Sequence, residues 1–396
     1  LEPGQTCVVQ FTPEAPIASG VTAAIRFADD GPIDTAWDAD QLSRGALLQG
    51  PVVMAGAEKT PFMVLARHPL AGDDTLQLSG RPVGWRVGDE LVVAATDPDD
   101  PASDEVRTIA EISGNTVTLS APLQLDHAAP RDDLDVHVAN LTRNILLTSD
   151  SPDLDRRGHV MFMHNLDVSV SYASFVELGR TDKTRPVDDY IYPDLDGGPV
   201  CLGPATNRRG RYSVHFHQGG TDPDRAATMV GSVVVSDPGW AYVNHSSNVD
   251  FIDNVSYDVV GGAFQTESGD EIGSFVRNLA LRTIHPDYPL RGTTEDVLVD
   301  IREEYQDYAF QGDAFWLHGG GVAVEGNIAA GVSGHAYIYW PEGLIEPHGS
   351  MVTMPAELVP EGDLLKSNDG VDIWLVPVAS FSDNTAYAAT KGLEFY

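Results

Sequence analysis

The chain has 396 residues, 42% of them hydrophobic, enough to bury a large core in two domains or in one long repetitive one. Its 59 acidic residues against 24 basic ones leave a formal net charge of −35. A surface this acidic repels nucleic acid and anionic lipid, which excludes both as general partners; a polyanionic substrate needs a local basic patch or a bound cation.

The two cysteines, Cys7 and Cys201, are too few for a disulfide framework and lack zinc-finger spacing, so at most one bridge is open to them. No apolar run is long enough to cross a membrane, and membrane insertion is not expected. The acidity suits solubility at high salt or an exported microbial protein, whose removed export signal would not be readable in a sequence that begins at Leu1.

Residues 1–135 read as short strands separated by turns. Gly50-Pro-Val-Val-Met-Ala-Gly56, Glu90-Leu-Val-Val-Ala-Ala95 and Thr116-Val-Thr-Leu-Ser120 are strand-like, with turn signals at Gly72-Asp-Asp74, Val87-Gly-Asp89 and Ser113-Gly-Asn115. No helical period is present, so the region is all-β. Its segments Ala57-Glu-Lys-Thr-Pro-Phe62, Gly84-Trp-Arg-Val-Gly-Asp-Glu-Leu-Val-Val93 and Pro122-Leu-Gln-Leu-Asp-His127 resemble the G-eight (G8) domain, a glycine-punctuated β module of extracellular proteins. The expectation is a module packed on one end of the domain formed by residues 136–396.

Residues 136–396 show a loose repeat. Asn254, Asn278, Asn327 and Asn384 each sit beside an apolar strand, as in Phe251-Ile-Asp-Asn-Val-Ser-Tyr257 and Val324-Glu-Gly-Asn-Ile-Ala-Ala330. A period in the twenties, with short strands and asparagine at the turns, predicts a parallel β-helix whose asparagine amides ladder along the axis. Asn254, Asn327 and Asn384 are each followed by a glycine seven or eight residues on, a spacing that the alternative, a β-sandwich, leaves unexplained. Polar excursions near 180–210, 284–311 and 344–370 interrupt the repeat as loops that can wall a groove.

The strand that recurs in each coil ends on a polar residue. Aligned by their ends, the copies His159–His164, Ser213–His217, Trp240–His245, Gly262–Glu267 and Asp313–His318 give a column of His164, His217, His245, Glu267 and His318. His215 lies two residues before His217 and so leaves the same strand face. Equivalent residues on adjacent coils lie about 4.8 Å apart. Two or three histidines and a carboxylate match the ligand set of a divalent metal, with Zn, Mn, Ni, Fe or Ca as the candidates; proton transfer and unrelated exposed histidines are the alternatives. Asp270 and Glu271 are further acid candidates.

The same strands carry a second resemblance. Gly210-Arg-Tyr-Ser-Val-His-Phe-His-Gln-Gly-Gly220, Val243-Asn-His-Ser-Ser-Asn248 and Gly262-Ala-Phe-Gln-Thr-Glu-Ser-Gly-Asp270 are similar to the cell-migration-inducing hyaluronidase family. The resemblance implies a G8 domain ahead of a right-handed parallel β-helix, in a secreted protein acting on or binding hyaluronan-like polysaccharides. His215, His217, His245 and Glu267 fall on the shared motifs, whereas His164 and His318 lie off them. A hydrolase would pair Glu267 with Asp270 or Asp237. A lyase would use His217 or His245 as base and Arg211 to neutralise a uronate. A non-catalytic module would grip sugar with Trp240, Tyr242, Trp316 and Trp340, and a structural surface protein would use the histidines for a structural metal. Oligomeric state is not legible.

Overall fold

Val, Ile, Phe and Thr alternate with polar residues over runs of about five, the pattern of strands with one face buried. The computed structural model describes residues 16–189, 191–194, 198–201, 205–286, 302, 306–346, 349–367 and 370–396. Its main body is a parallel β-helix with three faces. The first face stacks Ala23–Phe27, Ile145–Ser149, Ala173–Val176, Val233–Asp237, Val255–Val259 and Leu279–Thr283, then the opening halves of Ile328–Tyr339 and Thr385–Phe395. The second stacks Gly45–Leu48, His159–Met163, Val214–Gly220, residues 240–245, Gly262–Thr266 and Asp313–Leu317, followed by the closing halves of the two long strands. The third stacks Val52–Ala55, Val168–Ser171, Ala227–Val230, residues 248–252, Ile272–Val276, Val322–Glu325 and Ser380–Ser382.

Because every pairing on these faces is parallel and, apart from shifts after His217 and after Val332, in register, equivalent side chains meet on neighbouring coils. Inside the coil Tyr242 stacks on Phe264 at 4.7 Å, Phe264 on Phe315 at 5.0 Å and Phe315 on Tyr337 at 4.9 Å. At the corner between the third and first faces the expected asparagine ladder is present. Asn254 Nδ2 donates to Asn278 Oδ1 at 3.1 Å, Asn278 to Asn327 at 3.0 Å, and Asn327 to Asn384 at 3.1 Å.

The boundary expected at 135/136 does not follow the hydrogen bonds. Residues 23–55 form the first coil of the helix, pairing with 145–171, and the antiparallel module is inserted after it. That module orders its strands as Phe62–Val64, His137–Asn140, Glu90–Val93, Glu105–Ser113, Thr116–Leu119 and Thr75–Gln77. Bonds from Ser79 N to Val64 O and from Ala66 N to Gln77 O join the outer strands into a small barrel. The barrel does not cap the helix end. Val92, Ala94 and Ala139 pack on the outward side chains Val233, Val255, Leu279 and Ala330 of the first face, so it lies along a flank.

The loop after residue 180 is clamped to residues 306–310: the buried Lys183 ammonium meets Asp307 at 2.5 Å and lies 4.1 Å above the Trp240 ring. Most of the 284–311 excursion lies outside the described residues, as does Cys7 and with it the Cys7–Cys201 pairing. No helix among the described residues is long and apolar enough to cross a membrane.

Candidate functional site

Val214 and Phe216 point into the core and are fully buried, so His215 and His217 must leave the opposite side of the strand. Register then sets His217 against His245 and Asn244 against Thr266, and Glu267 N donates to Asn244 O at 3.0 Å. Glu267 thus occupies the rung after His245. Its turn is held by Glu271, whose carboxylate accepts from the backbone N–H groups of Ser246, Glu267, Ser268 and Gly269 at 2.5–3.1 Å. Gly269 has φ +104°, and a Cβ there would stand 3.0 Å from Glu342 O and Ile373, so the turn requires glycine.

The result is a tight cluster. His217 Nδ1 lies 3.2 Å from His245 Nδ1, and Glu267 Oε2 lies 3.1 Å from His245 Nδ1 and 3.3 Å from His215 Nε2. His215 Nε2 and Glu267 Oε2 are buried and make no well-aligned hydrogen bond. Ligand atoms bound to one ion at about 2.1 Å sit roughly 3.4 Å apart in a tetrahedron, so the spacing and the donor types suit a metal. Burial pushes His245 down, but the Glu267 carboxylate outweighs it and lifts that imidazole to about 9. Burial, followed by His215 and His245, pushes His217 down to about 2. Burial pushes the Glu267 carboxyl up, yet His245 and His215 hold it well below the carboxylate range. A charged His245–Glu267 pair beside a neutral His217 is therefore a second chemical capability of the cluster.

Two members of the predicted column fall outside it. Met163, not His164, pairs with His217. His164 is one position further on, in the left-handed region at φ +51° like Gln218 and Ser246 on the next coils, and its Nδ1 faces Gln218 O at 3.1 Å. His318 follows Leu317 on the rung beside Glu267, but its Nδ1 turns to the Glu267 carbonyl at 2.6 Å, supporting that backbone and leaving the cluster at three histidines.

Other expectations are corrected by burial. Arg211 does not face the cluster: its guanidinium donates to the carbonyls of Gln41, Arg209 and Asp40. Trp240 is buried and donates to Ala309 O at 2.7 Å, Tyr242 donates to Val255 O from inside the coil, and Trp316 is 5% exposed between Tyr308 and Trp340. None of these three offers a face to sugar. Trp340 is half-buried, with Nε1 on Glu342 at 2.9 Å. Asp237 is buried and braces a corner through Ser213 N and Gly239 N. Asp270 stays near the cluster, accepting from Ser246 Oγ at 2.8 Å, and burial raises its carboxyl. Tyr212 was not anticipated. Its ring lies 5.2 Å from His215 and its hydroxyl is buried without a hydrogen bond. The only sequence signal was its place three residues before His215.

Residues 202–393 match the family described as CEMIP beta-helix. The chain is a G8 plus β-helix, CEMIP-like protein. This CEMIP-like chain is 27% identical over 212 residues to a G8 domain-containing protein of Dictyostelium discoideum, covering 52% of the chain and 16% of the relative. A second such Dictyostelium protein is 25% identical over 296 residues, covering 73% and 18%. Mouse Fibrocystin-L is 27% identical over 240 residues, covering 53% and 6%. The matched region therefore spans less than a fifth of these relatives' lengths. Among solved structures, the tailspike gp61 of Pseudomonas phage phi297 aligns over 84% of the CEMIP-like chain and 71% of its own at 11% identity, with a TM-score of 0.19. The Gp54 tailspike of Acinetobacter baumannii bacteriophage AP22, in complex with a capsular saccharide, aligns over 76% and 60% at 11% identity and a TM-score of 0.20. Likeness at that level carries no functional weight.

Proposed function

We propose that this chain is a secreted carbohydrate-active protein that depolymerises an acidic, uronate-containing polysaccharide beside a divalent metal held by His215, His217, His245 and Glu267. The observation that carries the reading is the convergence of three imidazoles and a carboxylate whose buried His215 Nε2 and Glu267 Oε2 lack hydrogen bonds. Buried polar atoms that touch only one another, outside hydrogen-bond geometry, are poorly compensated, and a cation shared by all four groups supplies what those contacts lack. Three nitrogens and one oxygen suit Zn, Mn, Fe or Ni; Ca, which takes oxygen ligands, fits least. The CEMIP β-helix match supports carbohydrate as the substrate class.

When bound, the metal supplies Lewis acidity toward a substrate oxygen. The chain's own residues do the rest. Glu271 fixes the turn that presents Glu267, and Ser246 holds Asp270. Asp270, raised by burial, is suited to give a proton to a departing sugar oxygen. A metal-free reading is supported by the Glu267–His245 contact at 3.1 Å, which holds His245 charged as a proton donor beside the neutral His217.

The test is product release from hyaluronan, chondroitin, alginate and pectin, before and after chelation and after adding back each metal. Activity should vanish on chelation and return with Zn or Mn. Full activity in chelator, with bound metal absent by elemental analysis, would transfer the chemistry to the acid–base reading. No release from any acidic polymer would sink the enzyme and leave a binding or structural protein. Hydrolysis and elimination separate by the ultraviolet absorbance of an unsaturated uronate product.

A further inference from the structure

The protein holds only 24 basic residues against 59 acidic ones, yet Arg180, Arg185, Arg208 and Arg211 line one cavity of about 330 Å³. Acidic groups share the wall, and they are accounted for differently. Asp182 pairs with Arg185 at 3.2 Å and Asp153 with Arg156 at 3.6 Å, while Asp40, beside the cavity, pairs with Arg208 at 3.4 Å. Asp38 and Asp155 act on Arg180, and Asp189 and Asp40 on Arg211, only from a distance.

Arg180 and Arg211 stand apart. They are 7% and 9% exposed, and among the described residues neither forms an ion pair. Arg180 donates to the carbonyls of Gln41 at 2.7 Å, Arg44 at 3.3 Å, Ser43 at 3.4 Å and Arg157; Arg211 donates to those of Arg209 at 2.9 Å, Gln41 at 3.2 Å and Asp40. Carbonyls orient a guanidinium without cancelling its charge. Two such cations in a low-dielectric corner repel each other unless an anion joins them. Burial, followed by Arg211 and Arg44, pushes Arg180 down to about 9. Arg180 Nε and Arg208 Nε are also buried without a hydrogen-bond partner.

The cavity adjoins the histidine cluster along the chain. Arg211 lies four residues before His215, and His215 Nδ1 faces the Gly210 carbonyl at 3.2 Å. We propose that the Arg180–Arg185–Arg208–Arg211 cavity is an oxyanion subsite for an acidic sugar of the chain cut at the His–Glu cluster, an assignment that rests on the polysaccharide reading above. Arg180 and Arg211 supply the fixed positive field at its base. Arg185 and Arg208, whose side chains are 48% and 21% exposed, close on the anion from the rim. The planar guanidinium fork matches a carboxylate or a sulfate bidentately, so uronate and sugar sulfate share the recognition chemistry.

Calorimetric titration of the intact protein with glucuronate, glucose 6-sulfate and glucose tests it. At least one anionic sugar should bind, glucose should give no heat, and the stronger anion identifies the source of the charge. In an Arg185→Gln/Arg208→Gln variant of unchanged melting temperature, that binding should weaken about tenfold, and KM for a cleaved polymer should rise about tenfold with kcat retained. Equal binding of glucose, no binding of either anion, or undiminished binding by the variant overturns the subsite. Anion binding by a protein that cuts no polymer upholds the subsite while the depolymerase reading fails.

Discussion

Two polar columns border the third face of the helix, one at each end of its strands. In the asparagine column every amide is used: Asn278 Nδ2 donates to Asn327 Oδ1 and to Phe251 O, while its own Oδ1 accepts from Asn254 N and Asn254 Nδ2. The histidine column has the same coil-to-coil stacking, but His215 Nε2 and Glu267 Oε2 end without hydrogen bonds. The same ladder geometry thus builds a closed network or an open one, according to whether each side chain is both donor and acceptor. An amide can pass a hydrogen bond along the stack; a carboxylate next to three imidazoles cannot. The closed column holds the fold, and the open one is free to hold a ligand.

That contrast can be broken at either end. Glu267→Ala and His217→Ala should each lower polysaccharide turnover at least about a hundredfold, the scale of losing one preorganised charged group. In chelator Glu267→Ala should also lower the melting temperature, because the buried, charged His245 loses its carboxylate partner, whereas His217→Ala should stay close to wild type; full activity in both variants would end the site assignment. Asn278→Ala should do the reverse. It strands buried groups on two neighbouring coils at about 3 kcal/mol in total, read as a lower urea midpoint with specific activity kept. A midpoint equal to wild type would show that the ladder contributes nothing.

A comparable loss should come from acid. Burial pushes His137, which faces the Tyr387 hydroxyl at 2.9 Å between barrel and helix, down to about 4. Its folded value lies below its unfolded one, so the stability is whole above about pH 6.5 and is lost as pH falls toward 4, by about 3 kcal/mol. His137→Gln should flatten that part of the urea-midpoint profile. The smallest effect belongs to His164→Ala, outside the cluster by register, with turnover within about threefold of wild type. A loss as large as that of His217→Ala would return His164 to the site.

The asparagines were readable because ladder residues repeat at the helix period and need no partner beyond their own kind. His217, His245 and Glu267 were readable for the same reason. His164 and His318 show where alignment by strand ends misleads: one extra residue in a turn shifts the rung, and a rung-mate's ring can swing to a backbone carbonyl. Trp240, Tyr242 and Trp316 look like sugar platforms by residue type, but alternation along a strand does not say what the loops cover. Residues 306–310 lie over Trp240 and Trp316, and nothing in either strand announces them. The first coil was missed because its partners come only after the barrel sequence ends.

That interruption has a kinetic side. Arg26 and Asp150, which meet at 3.4 Å where the first coil joins the second, are 124 residues apart in the chain. During synthesis, residues 23–55 emerge with their edges unpaired and wait while the whole barrel is made. The Asn144 side chain then accepts from Ala57 N at 2.8 Å, drawing entry and exit of the barrel together. A barrel that folds promptly shortens the loop this closure must span. A slow or damaged barrel leaves the waiting strands open to the wrong neighbour. Substitutions deep in the barrel should therefore appear first as poor recovery of soluble protein, before any change in the finished molecule.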